Sequence, residues 1–256
     1  MYHDVGTPEK DSKPAQTIET EKFERQVRWL AEHGYTTVGI KDVIRWMRER
    51  IALPRRTVLL TFDDGYEGAA RNALPVLFRY GFCAVVFVVT ARVGSSNTWD
   101  EAKGFTTNRL MDAEQIRLWS TRGIEFGSHS STHADLTRLA DSELEREIVG
   151  SREELAAITG SVPTSFAYPF GFLDARVGDS VRKAFPLAFS TIEGVNGALT
   201  DPHLIRRTVV DPNDTLVDLC FRVRLGLSPW AKIRSLLRGR TDLQRRMFRR
   251  AGIYRR

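Results

Sequence analysis

The sequence is poor in cysteine and has no long apolar run. Only two cysteines occur among 256 residues, Cys83 in an apolar segment and Cys220 in a predicted helix. Both are expected to be buried thiols, so neither a disulfide scaffold nor a cysteine metal cluster is predicted. No apolar segment approaches the roughly 20 residues that span a bilayer, and the N-terminus lacks the pattern of a signal peptide. As given, the chain is expected to be cytoplasmic or peripheral to a membrane, and its compartment stays open.

Acidic residues are nearly absent from the C-terminal end. Between Arg222 and Arg256 twelve Lys and Arg residues stand against one acid, Asp242. Apolar residues recur there at loosely helical spacing, which predicts a basic amphipathic helix over residues 226–256 that lies on an anionic membrane surface. A solvated final helix packed on the body is the alternative. Without interleaved aromatic residues or a known motif, no nucleic-acid partner is expected.

The rest of the chain has the composition of a globular protein with a large core, at 42% hydrophobic and 27% charged residues. Strand-like and helix-like segments alternate without an internal linker, which predicts one domain with a parallel sheet covered by helices. Capping boxes predict helix starts at Asp112 with Gln115 and at Ser142 with Glu145. The alternation itself does not decide between an open sheet and a barrel.

The stretch TFDDGY, residues 61–66, carries the first functional signal. A predicted strand over residues 57–62 ends directly in Asp63 and Asp64, and Gly65 allows the chain to turn. Where the strand breaks up, the two carboxylates can take separate roles, one as a metal ligand and one as a proton acceptor. A plain turn is the alternative reading of the same residues.

The stretch HSSTH carries the second signal, because His129 and His133 are four residues apart. At this spacing two imidazoles can face one metal from a helical turn or a tight loop. Together with Asp64 they give two nitrogens and one oxygen, the composition of a catalytic zinc site with room for water. Asp63 would then be the general base.

These two motifs, followed by Tyr168-Pro-Phe-Gly171, resemble the NodB-type polysaccharide deacetylases of carbohydrate esterase family 4. The resemblance covers about residues 58–210, and Tyr2-His3 resembles the subgroup that deacetylates biofilm poly-N-acetylglucosamine. It implies a deformed (β/α)7-type barrel, with residues 1–56 integral to the barrel, 57–225 as the deacetylase core and 226–256 as the tail. It also implies metal-dependent hydrolysis of an N-acetyl group on an amino sugar of a poly- or oligosaccharide.

Carried over by residue, the resemblance gives each site residue an expected role. Asp63 is the catalytic base, and the backbone N–H near Phe170 is the oxyanion donor. Tyr66 and Arg207 are expected in the substrate-binding and oxyanion region. The expected ligands of a divalent metal, Zn²⁺ first and Co²⁺ or Ni²⁺ as alternatives, are Asp64, His129 and His133.

The sequence departs from the family at two positions. Ala167 stands where most members have the arginine that pairs with the base, so Arg206 or Arg207 is expected to replace it, and strand alternation lets only one of them face inward. No Leu-x-His motif follows Val210 to supply the acid, so His3 is the predicted general acid. His203 is a rival at a loop edge, and His33 is expected to be a structural helix end.

Two other functions remain as alternatives. A deformylase or deacetylase of a lipid-linked sugar would use the basic tail to stay at the membrane. A catalytically inactive carbohydrate-binding relative would explain Ala167 and the missing terminal histidine. The intact set of carboxylates and imidazoles at strand ends argues against an inactive protein.

Overall fold

The computed structural model describes residues 1–7, 17–103, 107–229 and 233. Apart from residues 226–229 and 233, the predicted basic helix of the tail therefore lies outside the described residues. The strands are β1 Asp4–Val5, β2 Thr17–Ile18, β3 Thr36–Thr37, β4 Thr57–Val58, β5 Thr61–Phe62, β6 Val85–Val88, β7 Glu125–Ser128, β8 Ser165–Ala167 and β9 Leu187–Phe189. The α-helices are α1 Thr20–Glu32, α2 Ile40–Glu49, α3 Leu74–Arg79, α4 Ala113–Thr121, α5 Asp141–Glu145, α6 Ser151–Thr159, α7 Ala175–Ala184 and α8 Leu216–Leu225.

Strands β5 to β9 form one parallel sheet in sequence order. Their registers pair Thr61 with Val85, Val85 with Glu125 and Ser165 with Leu187. Parallel neighbours need a crossover between them, and the helices between the strands supply it for most of the sheet. The carboxyl ends of all five strands consequently lie at the same edge of the sheet, where a site can be assembled from the loops that follow them.

Backbone hydrogen bonds join the two edges of this sheet. On one side Phe189 forms a parallel bridge with Ile205, and on the other Phe62 forms a parallel bridge with Tyr2. Between these segments Met1 N donates to Thr208 O at 2.9 Å and Val210 N donates to Met1 O at 3.0 Å. The sheet therefore curls into a deformed (β/α)7-type barrel, and both this prediction and that of a single domain are confirmed.

Alternate residues of the strands point into the barrel. Phe87, Phe189 and Ile205 are buried in one apolar cluster together with Ile40 and Val43 of α2, so α2 packs against the barrel interior. The interior is crowded at β7, where a Cβ on Gly127 would collide with Phe87 and the Ser165 hydroxyl. The intervening residues of β6, Val86 and Val88, pack with the helices in a second cluster.

The helix starts test the two predicted capping boxes. Asp112 accepts from Gln115 N at 2.8 Å and Gln115 Oε1 accepts from Asp112 N at 3.0 Å, so this prediction is confirmed. The second prediction is wrong: α5 begins at Asp141, and Glu143, in place of Glu145, accepts from the backbone of Ala140. Within the described residues, no helix is both long enough and apolar enough to cross a membrane. Both cysteines are free but only partly buried, so the expectation that they are buried thiols is wrong.

Candidate active site

The two predicted motifs meet at the carboxyl ends of the strands in strained loops. Asp64, Ser130, His133 and Phe170 have φ angles of 72°, 64°, 64° and 58°. A non-glycine residue in this left-handed region costs on the order of 1–3 kcal/mol. Such strain persists only where the surrounding structure holds it. Its concentration here indicates that the fold sacrifices stability to place these side chains.

Asp64, His129 and His133 form a buried cluster that fits a metal ion. Asp64 Oδ1 lies 3.3 Å from the Nε2 atoms of both histidines, and their ligand atoms are all within 4.8 Å of one another. His129 Nδ1 lies 2.7 Å from Ala167 O, so this nitrogen carries the proton and the Nε2 lone pair faces the cluster. Burial alone would raise the pKa of Asp64, but the two neighbouring imidazoles, His129 and His133, outweigh that effect and hold the pKa well below its usual range.

Asp63 is paired with Arg207 across the barrel. The guanidinium donates from NH1 to Oδ1 at 2.5 Å and from NH2 to Oδ2 at 2.8 Å, a bidentate contact between two buried groups. Nε of Arg207 donates to Ser190 O at 3.0 Å, and its charge lies over the Phe87 ring at 5.4 Å. Burial would raise the pKa of Asp63, yet Arg207 more than offsets this and the pKa is lowered. Asp63 is thereby kept ionised.

Residues 205–210 form the last segment of the barrel wall, and the alternation of their side chains decides between the two candidate arginines. Arg207 faces the barrel interior, whereas Arg206 is exposed and pairs its backbone with Asn196. Ala167 is fully buried in the interior. The family pattern places the arginine at position 167, at the end of β8. In this chain Arg207, from the segment 205–210, takes its place beside Asp63.

His3 is held near Asp63 by its neighbour Tyr2. The backbone N–H of Asp63 donates to Tyr2 O at 3.0 Å, which joins the N-terminal segment to β5. Burial lowers the pKa of His3, and the charges of Asp64 and Asp63 oppose that effect, which places the imidazole in the field of both carboxylates. His203 is engaged elsewhere, with Nε2 2.9 Å from Phe185 O. His33 ends α1 with Nδ1 2.8 Å from Trp29 O.

The remaining predicted residues lie on either side of the cluster. The ring of Phe170 packs edge-on against His133, with centroids 4.4 Å apart. Tyr66 is buried, and its hydroxyl accepts from Asn97 Nδ2 at 3.0 Å. The oxyanion role of Phe170 and the substrate contact of Tyr66 stay predictions.

The family model for polysaccharide deacetylases matches residues 50–185, more than half of the chain. The chain belongs to the polysaccharide deacetylase family. The resemblance of TFDDGY and HSSTH to this family is thereby confirmed. The match begins shortly before the Asp63 strand and ends after Tyr168-Pro-Phe-Gly171, so it contains all three motifs.

The chain is also similar to several named proteins. It is 24% identical over 207 residues to the poly-beta-1,6-N-acetyl-D-glucosamine N-deacetylase of Staphylococcus epidermidis, covering 78% of this chain and 71% of that protein. Its fold matches the Streptococcus pyogenes deacetylase PplD at a TM-score of 0.75 and 20% identity, covering 90% and 96% of the two chains. IcaB from Ammonifex degensii matches at 0.69 and 25% identity, covering 83% of this chain and 90% of that one.

Glu147 is a site residue that the sequence did not reveal. It lies in a π-helical turn, Arg146–Gly150, and its buried carboxylate accepts from Ser131 N at 3.0 Å, Thr132 N at 2.9 Å and Thr132 Oγ1 at 2.6 Å. These donors are the middle of the HSSTH loop. Glu147 therefore fixes the loop that carries both histidines, as an outer-shell residue does at a metal site.

Replacing Glu147 with alanine is expected to weaken zinc binding by about 10- to 100-fold, the usual cost of losing an outer-shell partner. Three donors lose their acceptor, so the strained loop relaxes. Calorimetric titration of zinc measures the effect, with Glu145→Ala as the matched control because Glu145 is exposed on the neighbouring helix. Equal zinc affinity in the two variants would show that Glu147 does not position the loop.

Asp4 ties the N-terminal segment to the loop beside TFDDGY. Its Oδ2 accepts from Asn108 Nδ2 at 3.1 Å and from Thr17 Oγ1 at 3.3 Å. Burial raises the pKa of Asp4 to about 6, although hydrogen bonds from Val5, Thr17 and Asn108 oppose the shift. The folded state thus holds the proton of Asp4 more tightly than the unfolded state does.

This shift predicts the sign of a pH effect. Between pH 4 and pH 6 the folded state binds more protons at Asp4 than the unfolded chain, so its contribution to stability falls as pH rises. In Asp4→Asn that decline is absent. The free energy of unfolding of the variant, relative to wild type, is expected to rise by on the order of 2 kcal/mol from pH 4 to pH 7. Urea unfolding at both values measures it, and a constant difference would refute the shift.

Proposed function

We propose that the protein is a metal-dependent hydrolase that removes N-acetyl groups from an N-acetylated amino sugar in a poly- or oligosaccharide. The observation that carries this proposal is an ionised carboxylate, Asp63, held by Arg207 next to the buried cluster of Asp64, His129 and His133. A general base beside a divalent-metal site is the machinery that amide hydrolysis requires.

The proposed roles divide between the two carboxylates. Asp64, His129 and His133 hold the metal, with Zn²⁺ preferred and Co²⁺ or Ni²⁺ as alternatives for this donor set. A divalent metal in this position supplies Lewis-acid polarisation and lowers the pKa of water. Asp63 takes the proton from the attacking water, and Arg207 orients its carboxylate and keeps it ionised.

The later steps need a hydrogen-bond donor at the carbonyl oxygen of the amide and a proton donor at its nitrogen. The backbone N–H at Phe170 is proposed to stabilise the negative charge that develops on the carbonyl oxygen. His3 is proposed to protonate the sugar nitrogen, which is a poor leaving group without a proton. The position of His3 in the field of Asp63 and Asp64 supports this assignment, although burial still leaves the pKa of His3 below its ordinary value.

The substrate class rests on the relatives. The similar protein of Staphylococcus epidermidis is a poly-beta-1,6-N-acetyl-D-glucosamine N-deacetylase. We extend that chemistry to this chain as a proposal, with an oligomer of β-1,6-linked N-acetylglucosamine as the first substrate to test. The lipid-linked alternative depended on the basic tail, most of which lies outside the described residues.

Acetate release from such oligomers, with and without an equivalent of zinc, tests the proposal. Zinc-loaded wild type is expected to release acetate, and His3→Ala is expected to lose about 10²- to 10⁴-fold in kcat, the usual contribution of a positioned acid or base. Its zinc stoichiometry should match that of wild type. A fully active His3→Ala would remove His3 from the mechanism, and an inactive wild type that binds zinc would refute the substrate class.

A further inference from the structure

Two chain segments beside TFDDGY form the arms of a hairpin, residues 94–97 and 108–111. Leu110 N donates to Ser95 O at 2.9 Å and Asn97 N donates to Asn108 O at 3.2 Å. The second arm also joins the metal-site loop, because Met111 N donates to Gly65 O at 2.8 Å. The hairpin is therefore a direct extension of the loop that carries Asp63 and Asp64.

Side chains reinforce these arms from both ends of the site. Asn97 Oδ1 accepts from Asn108 N at 2.5 Å, and Asn97 Nδ2 donates to the hydroxyl of buried Tyr66. Asn108 in turn donates to Asp4, next to His3. Whatever follows the first arm is thus held at a fixed position relative to the metal ligands and the proposed acid.

The residue held in this way is Trp99, in the short 3₁₀ turn Thr98–Lys103 directly after the first arm. Its indole stacks on the imidazole of His133, with ring centroids 4.5 Å apart and planes 15° apart. Phe170 covers another side of the same imidazole. Trp99 itself is only half-buried, so part of the indole remains accessible next to the metal cluster.

An accessible indole beside the reacting centre suits one kind of ligand. Ligand sites are lined mainly by aromatic and apolar side chains with few polar groups, and a sugar ring offers an apolar C–H face for such a surface. We propose that Trp99 contacts the saccharide ring that carries the acyl group and is a specificity-determining residue of this site. This inference rests on the proposed function for the identity of the ligand.

The competing role for Trp99 is purely structural, with the indole only orienting His133. Two binding measurements distinguish these roles. If Trp99 only orients His133, its loss changes the affinity for the metal; if Trp99 contacts the sugar, its loss changes the affinity for the saccharide. The chain offers a matched control in Trp29, which stacks on His33 of α1 with centroids 4.2 Å apart and planes 25° apart. Trp29→Ala removes the same type of pair away from the metal cluster.

The test measures binding of a β-1,6-linked N-acetylglucosamine tetramer by calorimetry to zinc-loaded protein in the Asp63→Asn background, so no turnover is needed. Trp99→Ala is expected to raise the Kd about tenfold, close to the size of one good aromatic contact. Trp99→Phe should restore most of the affinity, and Trp29→Ala should leave it unchanged. The zinc affinity of all variants should equal that of the parent.

The outcomes are separable. Unchanged tetramer affinity in Trp99→Ala, or a loss matched by weaker zinc binding, would overturn the inference in favour of a structural role. Parent protein that binds zinc but no tetramer would overturn it as well. Tetramer binding that depends on Trp99, together with a wild type that releases no acetate, would sustain the saccharide contact and refute the proposed reaction.

Discussion

Arg207→Leu is expected to lower the free energy of unfolding by about 3–5 kcal/mol, the cost of removing one partner from a buried ion pair. Asp63 would remain buried without its bidentate partner, and burial would then raise the pKa of its carboxyl. The acid limb of the pH–rate profile should move to higher pH, with activity near neutrality at least about 100-fold lower. Urea unfolding and the pH dependence of kcat/KM measure the two effects.

Two further variants make this prediction specific. Arg206→Leu is the matched control, because Arg206 neighbours Arg207 but is exposed, and it should behave as wild type. Adding Ala167→Arg to Arg207→Leu moves the arginine to β8, the strand that the family pattern uses, and part of the lost activity should return. Wild-type stability and pH profile in Arg207→Leu would contradict the pairing.

Asp64→Asn and Asp63→Asn are expected to lose different properties, zinc binding in the first and catalysis without loss of zinc in the second. Asparagine fits the left-handed backbone of residue 64, so Asp64→Asn removes the charged ligand with little added strain. Its zinc affinity should fall by more than about 100-fold, the upper end of what an outer-shell change costs. Asp63→Asn should bind zinc within about threefold of wild type while acetate release falls by about 10²- to 10⁴-fold, the contribution of a general base.

Calorimetric zinc titration and acetate release, run on the same preparations, separate the two carboxylates. Asp42→Asn serves as a control, because Asp42 caps α2 by accepting from Gly39 N, outside the cluster. The role assignment would be wrong if Asp63→Asn lost zinc, or if Asp64→Asn kept both zinc and activity.

The strands and the clustering of the site residues could be predicted because each leaves a local pattern. Strand β6 is a continuous apolar run, and Asp63 and His129 directly follow strands, so their meeting at one edge follows from parallel topology. The closure of the barrel could not be predicted in this way. It depends on the hydrogen bonds that Met1 donates to Thr208 and accepts from Val210, and contacts over such separations leave no periodicity in the sequence.

The residues that support the site were harder to predict for the same reason. Strand alternation predicts that one of Arg206 and Arg207 faces inward. Only the register of residues 205–210 against β9 identifies that residue as Arg207. Glu147 resembles any other acid in a helical segment until the fold brings Ser131 and Thr132 to its carboxylate. The Ser142 capping prediction failed because neighbouring residues, Ala140 with Glu143, make an equivalent backbone contact earlier in the chain.

The most direct test of the proposed activity is acetate release from β-1,6-linked N-acetylglucosamine oligomers by metal-stripped protein titrated with zinc. The rate is predicted to rise in proportion to added zinc and to level off at one equivalent, because Asp64, His129 and His133 provide one site. A rate that is independent of zinc, or no release at a full equivalent of bound zinc, would contradict the account.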